Sequence, residues 1–257
     1  MAAGFLFLLS IAPLLKAQEA LKVPDAFLLF SKEELVSPVI TEAELQKFLK
    51  TMPAYFKKFN EMEPQFKKEG LSELPTASGL LSDLQKGKPV PFPVPEKITD
   101  LLKKYYQGNP SMTNALLAKG LLESLLMREV STELRFVPKA LVPMLKSQGW
   151  ADPKDYVRTE YQVLTALGAL IGAKELDSLI VEVEQQKKEM QKTAAAAKTK
   201  ESKKFAKDLM KEFDIDPKMI QDSKDAMREG LNPDLLSLVQ KYQSQLDQEL
   251  SESTKKK

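Results

Sequence analysis

A helical spacing of apolar residues first becomes clear after residue 41. Thr41 and Glu44 have the spacing of a capping box, in which each side chain accepts a hydrogen bond from the other residue's backbone N–H. Beyond them, apolar residues recur at steps of three and four, which places them on one helical face: Leu45, Phe48, Leu49, Met52, Phe56, Phe59 and Met62. Pro53 predicts a kink or break in this helix, and Pro64 predicts its end.

A second recurring signal is Asn or Asp followed by Pro. It stands at Asn109-Pro110, Asp152-Pro153, Asp216-Pro217 and Asn232-Pro233. The side-chain oxygen caps the free N–H groups of a helix start, and proline suits the first helical position because no donor is needed there. The apolar spacing after each dipeptide predicts helices over 110–129, 153–172, 217–229 and 233–250.

Weaker patterns complete the helical prediction. A short helix at 80–84 ends at Gly87, another covers 96–107, and a third covers 137–147 with an interruption at Pro143. From Lys174 the apolar spacing opens a helical stretch that extends as far as 213. The alternation typical of strands is nearly absent, and no fixed repeat emerges. We therefore predict an all-α fold, an irregular multi-helix bundle.

The segment 88–95, which carries proline at every second position, cannot be helical and favours an extended, polyproline-like spacer. We interpret it as a connector between an N-terminal helical subdomain (18–87) and a C-terminal one (96–250), followed by a disordered tail (251–257). The alternative is a recognition strand for an aromatic-lined groove, but the interleaved Val and Phe side chains favour burial.

The first seventeen residues resemble a signal peptide in their pattern. An apolar run from Phe5 to Ala12 is followed by Pro13 and by Ala17, a small residue suited to the cleavage position. The run is too short to span a bilayer. No Lys or Arg precedes it, so an upstream start or a buried N-terminal helix are the alternatives. We expect the protein to be secreted, into the periplasm if the source has two membranes.

The composition excludes several kinds of catalytic and metal-binding site. The 257 residues include no Cys and no His, so disulfides, thiolate nucleophiles, the common zinc sites and the Ser-His-Asp triad are excluded. Lys and Arg total 38 against 36 Asp and Glu, which does not favour nucleic acid as a partner. No carboxylate pair is singled out by its context; Glu160 is at most a half-buried acid. We predict no catalytic residue, no cofactor, no metal and no transmembrane span.

The strongest candidate site is a basic segment, residues 187–207. It holds eight lysines and two glutamates, a local net charge of +6. The lysines are Lys187, Lys188, Lys192, Lys198, Lys200, Lys203, Lys204 and Lys207. Its only aromatic is Phe205, whereas proteins that bind single-stranded nucleic acids interleave aromatics with cations. The sequence leaves open a solvated hairpin tip or weak, salt-sensitive contact with an anionic membrane or an acidic partner.

Three further motifs have simpler explanations. Gly168 and Gly172 form a GxxxG whose small residues predict close helix packing. The acids from Asp214 to Asp225 approach the spacing of a calcium loop, but Lys218 and Met219 occupy positions that need an oxygen ligand and glycine. The aromatics concentrated between residues 27 and 92 predict a core, with a pocket for an apolar ligand as the alternative.

These observations predict an exported, non-enzymatic helical protein that acts by binding a protein partner of unknown identity. The alternative is a carrier of a small apolar or lipid-like ligand, and the third prediction is a hydrolase that uses carboxylates. Trp150, the only tryptophan, lies just before the Asp152 cap and is expected to pack on that helix start.

Overall fold

The computed structural model describes residues 27–68, 77–88, 96–105, 111–133, 135–196 and 199–255, and most of them are helical. This confirms the predicted all-α, multi-helix fold. The predicted leader, nearly all of the Pro-rich connector and the Asn109-Pro110 dipeptide lie outside the described residues. Of the described helices, none is long and apolar enough to cross a membrane.

The helices are numbered along the chain. They are α1 (Lys32–Val36), α2 (Glu42–Lys68), α3 (Ala77–Gln85), α4 (Glu96–Tyr105), α5 (Met112–Glu133), α6 (Val142–Ser147), α7 (Pro153–Ala196), α8 (Lys200–Glu212), α9 (Pro217–Arg228), α10 (Pro233–Lys241) and α11 (Gln243–Lys255). A short 3-10 turn (Lys139–Leu141) precedes α6.

The capped helix starts are confirmed wherever the structure describes them. Thr41 N donates 2.8 Å to the Glu44 carboxylate, and Glu44 N donates 3.3 Å to the Thr41 hydroxyl, which completes the capping box before α2. The side-chain oxygens of Asp152, Asp216 and Asn232 accept hydrogen bonds of 2.7 to 2.9 Å from the backbone N–H two residues on. These local signals set the starts of α7, α9 and α10.

Several predicted helix ends are wrong. Pro64 does not end α2, which continues to Lys68 with both prolines inside it. Pro53 and Pro64 are both exposed, so the proline rings lie away from the packed apolar face of α2. An interior proline removes one helical hydrogen bond and can be accommodated by a bend. Helix α7 runs 44 residues through the end predicted at Gly172. A glycine inside a helix costs only about 1 kcal/mol, which packing readily offsets.

Two predicted helices are divided, and one predicted helix begins as a strand. The stretch from Lys174 ends at Ala196, and α8 begins after Thr199, whose hydroxyl accepts from Ser202 N at 3.1 Å. The predicted helix over 233–250 is interrupted at Tyr242, and α11 continues into the predicted tail as far as Lys255. Residues 137 and 138 belong to a strand instead of a helix.

That strand, β2 (Arg135–Pro138), pairs antiparallel with β1 (Phe27–Phe30). Phe27 lies opposite Pro138, and Leu28 lies opposite Val137. The pairing joins segments more than one hundred residues apart, and Val137 is fully buried. A four-residue strand of this kind depends on its distant partner and carries too little local pattern to be recognised in the sequence.

The helices group into two compact units. Among the described residues, the first unit holds 27–68, 77–88, 126–133, 135–168 and 230–255, and the second holds 96–105, 111–125, 169–196 and 199–229. Each unit is assembled from segments distant in sequence, and α5 and α7 contribute to both. A division at residues 88–95, as predicted from the sequence, would instead make each unit one continuous stretch.

The first unit is built around the apolar face of α2. The predicted residues from Leu45 to Phe59 are all buried, and Met62 is half-buried. Leu246 and Leu250 of α11 are also buried, and α11 packs against α2. Burial of each such side chain contributes about 1.5–3 kcal/mol, so the periodic face of α2 supplies much of the stability of this unit.

A buried glutamine fixes the turn that leads into α2. Gln162 of α7 donates to the carbonyl oxygens of Leu35 (3.0 Å) and Pro38 (2.9 Å) and accepts from Ile40 N (3.1 Å). These bonds satisfy backbone groups that the irregular turn leaves without partners inside it. The turn is therefore held by a single side chain from a distant part of the sequence.

In the second unit, the chain doubles back between α7 and α9. A Cβ atom built on Gly172 of α7 would lie 2.9 Å from the sulfur of Met227 in α9. This confirms that the GxxxG allows close packing, at least at its second glycine. The turn before α9 is held by α5, because the Thr113 hydroxyl donates 2.8 Å to Glu212 O and the Asn114 carboxamide accepts from Asp216 N at 3.1 Å.

Candidate functional site

The predicted lysines occupy the end of α7 and most of α8, both in the second unit. Lys188 and Lys192 are exposed on α7, and Lys203, Lys204 and Lys207 are exposed on α8. Lys198 lies outside the described residues, and Lys200 is placed only by its position at the start of α8. The structure thus presents at least five of the eight lysine side chains to solvent.

On α8 the lysines share one face. With 3.6 residues per turn, the four lysines of the helix whose side chains are described fall within an arc of about 100°: Lys203, Lys204, Lys207 and Lys211. We call this set the α8 lysine face. Lys211 lies beyond the basic segment predicted from the sequence; the signal that reveals it is the regular i, i+4, i+8 spacing of Lys203, Lys207 and Lys211.

The remaining sides of α8 are acidic and apolar. Glu201, Asp208 and Glu212 are exposed and lie within an arc of about 40° beside the lysine face. A half-buried apolar stripe follows, formed by Ala206, Leu209, Met210 and Phe213. The charged groups of α8 are thus sorted into a cationic and an anionic side, both distinct from the half-buried stripe.

The border between these two charged sides is marked by Asp208. Its carboxylate is 3.0 Å from the Lys211 ammonium. The hydrogen bond from Lys211, supported by the positive charges of Lys211, Lys204 and Lys207, lowers the pKa of Asp208. Asp208 is therefore paired with one lysine of the face and lies near two others.

Lys187 differs from the other lysines because it is half-buried and ion-paired. Its ammonium contacts the carboxylate of Asp214, the second residue after α8. The hydrogen bond to Asp214 raises the pKa of Lys187. We conclude that Lys187 joins α7 to the turn after α8 and that it contributes less to an open cationic surface than its exposed neighbours.

Phe205 is the most exposed large apolar residue described, at 70% of its full accessible area. On the helix it lies about 150° from the centre of the lysine face, between the acidic side and the apolar stripe. The single aromatic of the basic segment therefore does not stand among the lysines of α8.

The acids from Asp214 to Asp225 have separate partners. Asp216 caps α9, Asp214 pairs with Lys187, Asp222 accepts from Lys104 at 2.9 Å, and Asp225 accepts from Gln221 at 2.8 Å. Among the described residues, no group of three or more acidic side chains is arranged to hold a metal ion. The predicted reading of this window as a capped helix start is confirmed.

Among the aromatic residues between 27 and 92, for which the sequence predicts a core or a ligand pocket, Phe48 and Tyr55 pack against later aromatic residues. Tyr156 lies with its ring centre 4.6 Å from that of Tyr55, 5.6 Å from Phe48 and 5.4 Å from Trp150. All four residues are buried. Trp150 packs on the first turn of α7, as predicted. The side chains of Phe66 and Phe92 lie outside the description, and the apolar-ligand carrier stays a prediction.

The burial of polar residues on one side of α7 was not predicted from the sequence. Arg158 and Glu160 are each 7% exposed, so Glu160 is more deeply buried than predicted. The Arg158 guanidinium binds the Glu44 carboxylate at 2.8 Å and the Asp155 carboxylate at 2.9 Å. Partial burial acts against the charged form of Glu44, but the Thr41 hydrogen bonds and Arg158 together lower the pKa of this carboxyl. These contacts join α2 to α7.

Comparison with known proteins identifies no relative of this chain. The chain matches no protein-family model, no curated protein and no solved structure. The function must therefore be argued from the geometry alone.

Proposed function

We propose that the protein is a non-catalytic binding protein and that its lysine-rich segment contacts an anionic membrane surface. The observation that supports this is the group of exposed lysines at the end of α7 and along α8. The full chain has a net charge of only +2, so this positive charge is concentrated locally. A local cationic surface on a nearly neutral protein favours a docking site over general attraction to anions.

The expected affinity is modest and sensitive to salt. A Lys or Arg near an anionic leaflet contributes about 1 kcal/mol, so the five lysines seen as exposed supply about 5 kcal/mol at most. The Debye length falls from about 10 Å at 0.1 M salt to about 3 Å at 1 M, which screens these interactions. Binding should therefore be reversible by salt.

Co-sedimentation with vesicles tests the proposal. We expect the wild-type chain to sediment with phosphatidylcholine vesicles that contain phosphatidylglycerol, and to remain in solution with phosphatidylcholine alone. Replacing Lys188, Lys192, Lys203 and Lys207 by Gln should abolish most of the binding.

A matched control keeps the change in net charge the same. Lys57, Lys58, Lys139 and Lys146 are exposed residues of the first unit, and their replacement by Gln should leave the binding nearly unchanged. Equal losses in the two quadruple variants would show that only net charge matters. That result, or a wild-type chain that ignores anionic vesicles, would overturn the proposal.

We also propose that the protein is exported, and the support is the apolar pattern of residues 1–17. Expression of the full chain in a bacterium with two membranes, followed by fractionation and intact mass measurement, tests this. The expected result is a periplasmic protein whose mass corresponds to a chain beginning at Gln18. A cytoplasmic protein that retains residues 1–17 would contradict it.

A further inference from the structure

We infer that the α8 lysine face is the contact surface and that α8 lies along the headgroups of an anionic bilayer without inserting a side chain. This inference rests on the function proposed above and narrows it to one side of one helix. The other lysines of the basic segment are then secondary.

The α8 lysine face has the shape that a flat anionic surface requires. From Lys203 to Lys211 the row extends about 12 Å along the helix axis, since each residue rises 1.5 Å. Lys203, Lys204, Lys207 and Lys211 are all exposed, and of these four the ammonium of Lys211 is paired with Asp208 at 3.0 Å. Because they point to the same side, a planar array of phosphates can meet them together, while the half-buried apolar stripe lies on another side of the helix.

The lysines of α7 are less suited to the same role. Lys187 is already bound to Asp214. Lys188 and Lys192 are exposed, but Glu184 stands one turn before Lys188 on the same side and is exposed as well. Glu184 continues the row of Lys188 and Lys192 and offsets part of their attraction to an anionic surface. The row of Lys203, Lys207 and Lys211 has no carboxylate four residues before or after it.

The location of Phe205 argues against insertion. An exposed aromatic on a basic helix normally suggests an interfacial anchor. Here Glu201 and Asp208 lie on the adjacent side of the helix, so burying Phe205 in an anionic bilayer would bring both carboxylates to the negative surface and turn the lysines away. We therefore assign the contact to headgroups alone.

Two double variants with the same spacing test the assignment. K203Q/K207Q removes two charges at i, i+4 from α8, and K188Q/K192Q removes two charges at i, i+4 from α7. We expect the α8 variant to weaken vesicle binding at least about tenfold and the α7 variant to weaken it by less than about threefold. Circular dichroism confirms that both remain helical.

The failure of this inference differs from the failure of the proposed function. If wild-type protein binds anionic vesicles and the α7 variant loses as much affinity as the α8 variant, or more, the inference fails while the proposed function stands. If the wild type binds heparin but not vesicles, the partner is a soluble polyanion and both proposals fail.

Insertion is measured directly with a fluorescent probe, because a chain without cysteine allows labelling at one introduced thiol. An environment-sensitive dye on F205C should keep its emission when vesicles are added, whereas the same dye on K207C, in the middle of the lysine face, should respond. A blue shift at position 205 would overturn the headgroup-only contact.

Discussion

The indole nitrogen of Trp150 donates a 3.0 Å hydrogen bond to the hydroxyl of Thr51. Both residues are buried, and the same hydroxyl donates 2.9 Å to the carbonyl oxygen of Lys47 one turn earlier in α2. The Lys47 ammonium in turn lies 4.2 Å from the centre of the indole ring. One threonine thus satisfies the only tryptophan and fixes the chain before α7 against α2.

Replacing Thr51 by Val should destabilise the first unit by about 1–3 kcal/mol, because the indole N–H would be left buried without its acceptor. Valine keeps nearly the same shape, so the loss reports the hydrogen bond. Urea unfolding followed by Trp150 fluorescence measures it. The control is Thr193→Val, at a hydroxyl that bonds a carbonyl on the exposed end of α7; a loss there as large as at Thr51 would contradict the explanation.

Replacing Gln162 by Leu should cost about 3 kcal/mol, since three backbone groups of the turn before α2 lose their partner and each hydrogen bond contributes roughly 1 kcal/mol. We also expect faster hydrogen exchange at the Ile40 amide, which donates to Gln162. Gln186→Leu, at an exposed position of the same helix, serves as control. Unchanged protection at Ile40 would show that the turn does not depend on Gln162.

Two of the helical glycines, Gly120 and Gly172, should respond differently to alanine. Gly120 of α5 has open space where a Cβ atom would stand, so Gly120→Ala should stabilise the protein by about 0.5–1 kcal/mol. Gly172→Ala should not, because its Cβ would meet the Met227 sulfur at 2.9 Å. Thermal unfolding followed by circular dichroism compares them.

Making the Gly172→Ala change in a Met227→Ala protein tests whether the contact with Met227 causes the effect. When Met227 is replaced by Ala, the close contact is removed, and Gly172→Ala should then be neutral or stabilising. If Gly172→Ala destabilises both backgrounds equally, the two substitutions are independent and the contact with Met227 does not explain the glycine.

Stability should fall in acid partly through Glu44. Its pKa is lowered in the folded protein from an ordinary value of 4.5. The contribution of Glu44 is therefore fully present above pH 4.5 and is lost as the pH falls through the lowered value. Glu44→Gln should reduce stability at pH 7, where Arg158 loses a charged partner, and should flatten the decline below pH 4.5.

Urea unfolding of both proteins across this range measures the difference between the two slopes. Glu61→Gln, an exposed change on the same helix, controls for the general effect of removing one charge. A Glu44→Gln protein with the same acid dependence as the wild type would indicate that other carboxyl groups dominate.

Most helix starts could be predicted because the groups that determine them are neighbours in the chain. The side chains of Asp152, Asp216 and Asn232 cap backbone groups two residues away, so the signal is complete within a few positions. The candidate site could be predicted in part for the same reason, since its lysines lie close together in one stretch of the chain. The structure was needed to place α8 and the turn after it. These positions show that the α8 lysines share one side and that Lys187 is paired with Asp214 instead of adding to the open cationic surface.

By itself, the sequence determined the helical class, the buried face of α2, the capped starts of α7, α9 and α10, and the concentration of positive charge near residue 200. Only the tertiary structure decided where helices end and which segments form each unit. Tyr242 interrupts α10–α11 where its hydroxyl meets Glu42 of α2. The β1–β2 pair and the burial of Arg158 and Gln162 likewise depend on partners more than one hundred residues away. Such pairings leave no local periodicity, because their free energy comes from contacts that exist only once the chain has folded.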